Sequence, residues 1–161
     1  MSGRPGLSAD DRLLLTDLVH RYAALVDERE AAEVARLFTE DGVLVSPDPP
    51  RSLDPVTEHA GRAAIEQVMA AVVALETSVH AITGVVLDAG EEPDTATGRV
   101  TCFAHHLTRR DDAPYDVVWA VCYRDVYRRT PDGWRFARRV ATVDFLDARP
   151  IRSVRARSPR G

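Results

Sequence analysis

Two histidines and one aspartate are the side chains of this chain best suited to move protons. His80 and His106 occur in apolar segments with the composition of β-strands, and Asp27 follows the last apolar residues of an amphipathic helix. A neutral imidazole can both donate and accept a hydrogen bond, and its pKa of about 6.5 suits proton transfer at physiological pH. If the three side chains meet in one apolar cavity, they could carry out general acid–base catalysis. The alternatives are two hydrogen-bonded core histidines and an aspartate that caps a second helix.

Aromatic side chains provide candidates for substrate binding. Tyr22 lies on the apolar stripe of the first predicted helix, where an inward phenol could polarise a carbonyl group or simply pack. Tyr123 and Trp119 share one face of a predicted strand with Asp125, although Asp125 is equally explained by an ion pair with an arginine of the next strand. The predicted catalytic residues are Asp27, His80, His106 and Tyr22. The predicted substrate contacts are Tyr123, Trp119, Phe38 and Met69.

The N-terminal half of the chain has the residue spacing of helices. Ser8 is the predicted N-cap of the first helix, with Asp11 three residues later as a weak capping box. Apolar residues then recur at steps of three and four as far as about Val26. A second helix is predicted over about 31–41 and a third over 61–75.

The C-terminal half is predicted to form an antiparallel sheet. A short strand at 42–46 and an irregular stretch at 47–55 precede the third helix. Long strands rich in Val, Thr, Tyr, Phe and Trp follow at 78–88, 96–110, 115–129 and 134–146. Helices followed by a twisted meander indicate an α+β half-barrel, with three helices packed on a curved mixed, mainly antiparallel sheet.

Alternation along the strands assigns a face to each histidine. His106 falls on the same face as Ala104, and His80 on the same face as Ile82 and Val86. Both faces are apolar, as the wall of a ligand pocket would be. His20 and His59 are predicted to be surface or loop residues.

Composition excludes several classes of partner. The 161-residue chain has a net charge of −4, and its 21 basic residues are all arginine. Five of them lie in residues 149–161, where no acidic residue occurs, so the rest of the chain is strongly acidic and a poor binder of nucleic acid. No apolar run approaches the ~20 residues that span a bilayer, and the N-terminus lacks a secretory signal. We therefore expect a cytoplasmic protein that binds neither membranes nor nucleic acid.

Motifs for cofactors and metals are missing from the sequence. It has no phosphate-binding glycine loop, no nucleophile elbow and no lysine for a Schiff base. Cys102 and Cys122 lack the spacing of metal ligands and are expected as buried thiols rather than as a disulfide. We expect neither a cofactor nor a metal ion.

The residues considered so far together resemble the SnoaL-like family of the nuclear transport factor two-like superfamily, which has a cone-shaped α+β fold. The resemblance spans about residues 8–147, between a flexible N-terminus at 1–7 and an Arg-rich, disordered tail at 148–161. Its motifs are Arg21-Tyr22, Asp27, Leu37-Phe38-Thr39-Glu40-Asp41, Val79-His80-Ala81-Ile82, Tyr123-Arg124-Asp125 and Asp132-Gly133-Trp134-Arg135.

Within that superfamily the chain looks most like scytalone dehydratases. The resemblance places Asp27, His80 and His106 at the positions of that family's acid and two histidines. It implies cofactor-free general acid–base catalysis, in which a histidine removes a proton next to a carbonyl and the departing hydroxyl is protonated in turn. We expect protons to be exchanged between His80 and His106, with Asp27 orienting one of them. Tyr22 matches an inward tyrosine of ketosteroid isomerases, whose catalytic aspartate is replaced here by Ser46.

The leading hypothesis is a cofactor-independent lyase or isomerase, of dehydratase or cyclase type, that acts on a small apolar cyclic or polyketide-like carbonyl compound. One alternative is a small-molecule-binding or assembly module without turnover. Another is the small subunit of a ring-hydroxylating oxygenase, because such subunits share the fold. We expect a homodimer or homotrimer that forms through the open face of the sheet.

Overall fold

The computed structural model describes residues 6–72 and 77–155 of the chain. In this part the helices are α1 (Ala9–Glu28), α2 (Ala31–Arg36) and α3 (Arg62–Val72). The strands are β1 (Phe38–Asp48), β2 (Ser52–Ala60), β3 (Thr77–Ala89), β4 (Thr95–Arg110), β5 (Ala113–Thr130) and β6 (Gly133–Pro150). None of these helices is long and apolar enough to span a membrane.

The strands form one curved, open sheet in the order β2-β1-β6-β5-β4-β3. β1 is parallel to β6, and all other neighbouring strands are antiparallel. The helices pack against this sheet, and the core between them includes Leu15 and Val19 of α1 and Phe136 and Val143 of β6. The predicted α+β half-barrel, with three helices on a mixed and mainly antiparallel sheet, is confirmed.

Helix α1 has the termini that the sequence predicts. The Ser8 hydroxyl oxygen accepts a hydrogen bond from the Asp11 backbone N–H at 3.1 Å, which caps the first turn. At the other end Arg29 adopts a left-handed conformation with a φ of 64°. The helix therefore ends at Glu28, one residue after Asp27, and holds this carboxylate in its last turn.

Two predictions about the N-terminal half are wrong. Helix α2 ends at Arg36, and Phe38, predicted within this helix, is the first residue of β1. Residues 52–60, of which the stretch to Pro55 was predicted to be a loop, form strand β2. A strand accommodates this proline because β2 is at the edge of the sheet, where one side of its backbone makes no ladder.

A change of register in β3 corrects the predicted face of that strand. The pairing of β3 with β4 shifts between Ile82 and Gly84, so one residue of β3 is extra. Beyond this point the alternation is reversed, and Val86 is 58% exposed whereas Leu87 is buried. His80 and Val86 therefore lie on opposite faces, contrary to the prediction.

The predicted tail is partly ordered. Residues 148–150 continue β6 and pair with the start of β5, where Ala148 lies opposite Val117 and Pro150 opposite Tyr115. Residues 151–155 are neither helix nor strand. Residues 156–161 of the predicted tail, and 1–5 of the predicted flexible N-terminus, lie outside the described residues.

The outer face of the sheet is partly apolar. Val86, Phe103 and Phe145 are exposed there, and the rings of Phe103 and Phe145 lie 6.3 Å apart between centroids. The homodimer or homotrimer expected to form through this face stays a prediction. Cys102 and Cys122 are buried and free, as the sequence predicts.

Candidate active site

A cavity of about 490 Å³ lies between the helices and the sheet. Helix α1 contributes Tyr22 and Val26 to its wall, and α3 contributes Val68, Met69 and Ala71. The sheet provides the rest of the lining, which is Leu44, Ser46, Pro47, His80, Ala104, His106, Thr108, Val117, Trp119, Val121, Tyr123, Ala141 and Val143. Its size and mainly apolar lining, with a few polar groups, are those of a small-molecule site.

Asp27 and His80 form a hydrogen-bonded pair at this wall. The carboxylate Oδ1 lies 2.7 Å from the His80 ring Nδ1, and Oδ2 accepts the backbone N–H of His80 at 2.8 Å. The Ser78 hydroxyl donates to Oδ1 at 3.0 Å. Because the carboxylate accepts at Nδ1, the ring nitrogen left for the cavity is Nε2. The residue at the N-cap of α2 is Glu30, so the alternative in which Asp27 caps that helix is wrong.

The carboxyl group of Asp27 is ionised in this arrangement. Burial raises its pKa, but the hydrogen bonds from the His80 ring and backbone, with that from Ser78, outweigh burial and hold the pKa below its usual value. Asp27 is not itself part of the cavity wall and acts on the cavity through the His80 ring. A positive charge formed on that ring would face a fixed negative charge.

His106 has a different environment. Its Nδ1 lies 3.2 Å from the backbone carbonyl oxygen of Val117, which can only accept, so Nδ1 carries the hydrogen and Nε2 is an acceptor. Its ring centroid is 6.0 Å from that of His80 and 4.3 Å from that of Trp119. Burial, followed by repulsion from His80, lowers the pKa of His106 to about 4. His106 is therefore neutral at pH 7, and the expected exchange of protons between the two histidines stays a prediction.

The phenols of Tyr22 and Tyr123 are fixed by a buried guanidinium. The central carbon of Arg139 lies 4.2 Å from each ring centroid. The guanidinium makes two hydrogen bonds to Asp125, Nε to Oδ1 at 2.9 Å and Nη2 to Oδ2 at 2.8 Å. The Tyr127 hydroxyl donates to the same carboxylate at 2.7 Å. Asp125 therefore forms an ion pair with an arginine of the next strand, which is one of the two interpretations that the sequence leaves open; it is not a group of the cavity wall.

Both phenols remain protonated at neutral pH. Burial is the largest influence on the pKa of Tyr22 and on that of Tyr123, and it raises both values in spite of the opposing charge of Arg139. Each phenol can therefore donate a hydrogen bond. Such donors suit a carbonyl oxygen on which negative charge develops.

Most of the predicted site residues meet at the cavity. Tyr22, His80 and His106 line it, as do three of the predicted substrate contacts, Met69, Trp119 and Tyr123. Phe38 does not: it is fully buried in the core, where its ring packs 6.3 Å from that of Tyr22 and 5.2 Å from that of Phe136. Phe38 therefore contributes to the core and not to the lining of the cavity.

Two features of the site escape the sequence interpretation. One is the contact of Arg139 with the rings of Tyr22 and Tyr123, since the sequence offers Arg138 or Arg139 only as a partner of Asp125. The inward position of Arg139 follows from the alternation that it shares with Ala141 and Val143. The other is a pair formed by the cavity-lining Ser46 and His59, whose Oγ and Nε2 atoms lie 3.1 Å apart. His59, predicted to be a surface or loop residue, belongs to β2 and is half-buried. Within residues 6–72 and 77–155, no three His, Cys, Asp or Glu side chains are grouped to hold a metal ion.

Comparison with known proteins agrees with the fold. The family model described as SnoaL-like domain matches residues 8–140. An uncharacterized protein of Mycobacterium tuberculosis is 30% identical over 135 residues, which cover 84% of this chain and 86% of that protein. A solved structure of a putative aromatic ring hydroxylase from Novosphingobium aromaticivorans is 27% identical, with a TM-score of 0.74, over 89% of this chain and 96% of that chain.

A second solved structure from the same organism is a putative scytalone dehydratase. It is 20% identical with a TM-score of 0.72, over 96% of this chain and 98% of that chain, and this likeness shows the fold. The predicted family and fold are therefore confirmed.

Proposed function

The chain belongs to the SnoaL-like domain family, and we propose that this member is a cofactor-independent lyase or isomerase acting on a small, apolar, cyclic carbonyl compound. The observation that carries the proposal is the pairing of Asp27 with His80 at the wall of an apolar cavity. A carboxylate that fixes one imidazole nitrogen and leaves the other for a ligand is the arrangement of a general base.

His80 is the proposed base. Its Nε2 takes a proton from the carbon next to the substrate carbonyl, and the electron pair of the broken C–H bond moves to the carbonyl oxygen, which gives an enolate. The imidazolium formed at His80 is stabilised by Asp27, 2.7 Å away at Nδ1. Little water competes with this interaction in an apolar cavity, which strengthens it.

The same proton completes the reaction. In a dehydration the enolate expels a hydroxyl group from the next carbon, and His80 Nε2–H protonates the departing oxygen, which leaves as water. In an isomerisation the proton returns to another carbon of the conjugated system. Both sequences balance without an oxidant, a reductant or a co-reactant.

The neutral groups position the substrate. His106, with an acceptor at Nε2, accepts a hydrogen bond from the substrate hydroxyl and holds it near His80. The phenol of Tyr22 or of Tyr123 donates to the carbonyl oxygen, where the negative charge of the enolate develops. The apolar side chains of the wall, such as Val121 and Met69, favour a hydrocarbon ring between these groups.

The proposal is tested by proton exchange and by elimination. Wild-type protein in D₂O is expected to exchange the α-protons of 2-tetralone, followed by NMR, and to convert a cyclic β-hydroxy ketone into the conjugated enone, followed by ultraviolet absorbance. His80→Ala is expected to lower both rates by about 10²- to 10⁴-fold, which is the usual contribution of a general base. The matched control is His20→Ala, because His20 is exposed on α1. Equal rates for wild type and His80→Ala, or a wild type that binds the ketones without exchange, would refute the proposal.

The likeness to the putative aromatic ring hydroxylase favours a second candidate, a subunit without turnover in a ring-hydroxylating oxygenase. This candidate uses the same cavity for a planar ring and needs no base. It predicts that ligand affinity survives in His80→Gln while the wild type exchanges no α-protons. The D₂O experiment therefore separates the two candidates.

A further inference from the structure

Ser46 and His59 form a polar pair at the side of the cavity away from the two active-site histidines. The Ser46 Oγ and the His59 Nε2 lie 3.1 Å apart, and both residues are half-buried. Leu44 and Ser46 line the cavity from β1, and His59 pairs with Leu44 across β1 and β2. Because paired residues of neighbouring strands point to the same face, His59 lies on the cavity side of the sheet behind Ser46.

The position of this pair in the sheet separates it from the active-site histidines. His106 is on β4 and Ser46 on β1, and strands β5 and β6 lie between them. Three strand spacings correspond to roughly 14 Å along the sheet, and its curvature makes the straight distance shorter. The wall between them is largely apolar and includes Val121, Ala141 and Val143.

We propose that Ser46 and His59 form a distal subsite that binds a second oxygen atom of the ligand, so that the cavity selects ring compounds with an oxygen function at each end. The proposal deepens the proposed function and depends on it only for the class of ligand. Ser46 contacts the distal oxygen, and His59 is the positioning residue that orients the Ser46 hydroxyl.

The chemistry of the pair fits both forms of a ring oxygen. When the Ser46 hydroxyl donates to His59 Nε2, its oxygen is left to accept a hydrogen bond from a ligand hydroxyl. When His59 carries its hydrogen on Nε2 and donates to Ser46, the serine hydroxyl is left to donate to a ligand carbonyl. A change of tautomer at His59 therefore lets one subsite bind a ketone or a phenol, the two forms between which ring oxygens pass when a ring becomes aromatic.

Binding of paired ligands tests the subsite without turnover. The probes are 2,6-dihydroxynaphthalene and 2,6-dihydroxyanthraquinone, each compared with the 2-hydroxy compound of the same ring system. Quenching of Trp119, which lines the cavity, reports binding to the full-length protein. For at least one ring size, wild type is expected to bind the dihydroxy compound about five-fold more tightly than its parent, the usual net contribution of a hydrogen bond.

Variants of Ser46 and His59 test whether this pair causes the affinity ratio. Ser46→Ala is expected to lower the affinity ratio to one, and His59→Phe is expected to reduce it. His59→Gln is expected to keep the wild-type ratio, because an amide can also donate and accept a hydrogen bond. Ser52→Ala is the matched control, because the Ser52 hydroxyl bonds the Asp54 carbonyl and lies outside the cavity lining. Thermal unfolding of each variant confirms that it is folded.

Two results would overturn the inference. One is a ratio in Ser46→Ala equal to that of wild type, and the other is a wild-type ratio of one for both ring sizes. The binding ratio tests the subsite alone, whereas the proposed function is tested by α-proton exchange. A protein with the ratio and without exchange would keep the subsite and lose the lyase or isomerase activity.

Discussion

The burial of His106 makes the stability of the protein depend on pH in a way that one substitution can isolate. The folded protein lowers the pKa of His106 to about 4 because the ring is buried and close to His80. In the unfolded chain the same imidazole has a pKa of about 6.5. Between these two values the unfolded state binds a proton that the folded state does not, so stability falls as the pH falls from about 6.5 to 4.

The size of the effect follows from the two pKa values. With a folded pKa of about 4 for His106, linkage predicts a loss of about 1.2 kcal/mol at pH 5.5 and of about 3 kcal/mol at pH 4, relative to pH 7. In His106→Gln this loss is absent, because the amide does not titrate and can still donate to the Val117 carbonyl. Titrating groups that do not interact with His106 are common to both proteins and cancel in the difference between them.

Urea unfolding at pH 7, 5.5 and 4 measures this difference. The free energy of unfolding of wild type minus that of His106→Gln is expected to decrease by about 3 kcal/mol from pH 7 to pH 4. Thr108→Ala is the control: it changes another residue of the cavity wall, removes no titrating group, and is expected to give a difference that is independent of pH. A difference for His106→Gln that stays constant or grows towards pH 4 would refute the assignment of a neutral, buried His106.

Three further predictions concern other groups. In Asp27→Asn the side-chain amide can donate to His80 Nδ1, which would move the ring hydrogen to Nε2 and remove the base, so we expect a fall of about 10²- to 10⁴-fold in α-proton exchange by NMR. Arg139→Leu leaves the buried Asp125 without its ion pair and is expected to lower the urea-unfolding free energy by about 3–5 kcal/mol, while adding Asp125→Leu recovers part of the loss. Burial raises the pKa of the Cys102 thiol to about 12, so iodoacetamide at pH 8 should leave Cys102 unmodified in the native protein and label it in urea, as peptide mass spectrometry would show.

The sequence predicts the long strands well because strand-forming residues fill each segment and turn-forming residues separate the segments. The segments predicted at 96–110 and 115–129 differ from β4 and β5 by at most two residues at either end. The bulge in β3 leaves no comparable trace, since an extra residue does not alter the apolar character of a strand. Its one local sign is Gly84, where a Cβ would come within 2.9 Å of the Thr101 hydroxyl oxygen. Strand β2 is missed because an edge strand tolerates the polar residues and the proline that usually mark a loop.

The sequence predicts most of the side chains that meet at the candidate site, but not their protonation states. His80 and His106 both occur in apolar strands, and their sequence contexts do not distinguish a base from a neutral acceptor. The distinction comes from the group that each Nδ1 meets, which is the Asp27 carboxylate for His80 and the Val117 carbonyl for His106. Asp27 is 53 residues from His80 along the chain, so only the packing of α1 against β3 brings them together.

Because the two histidines have different hydrogen-bond partners, the two ends of the histidine pair differ chemically. An imidazolium at His80 faces a carboxylate that holds a negative charge, whereas an imidazolium at His106 would face a carbonyl oxygen, an indole ring and the neighbouring His80. In the proposed function, a proton taken from a ligand is therefore retained at His80, and a ligand hydroxyl is accepted at His106. Environment, rather than residue type, divides the roles, as it does wherever two like groups of one site carry out different steps. Under the proposed function we therefore expect a substrate that presents its acidic carbon to His80 and its hydroxyl to His106.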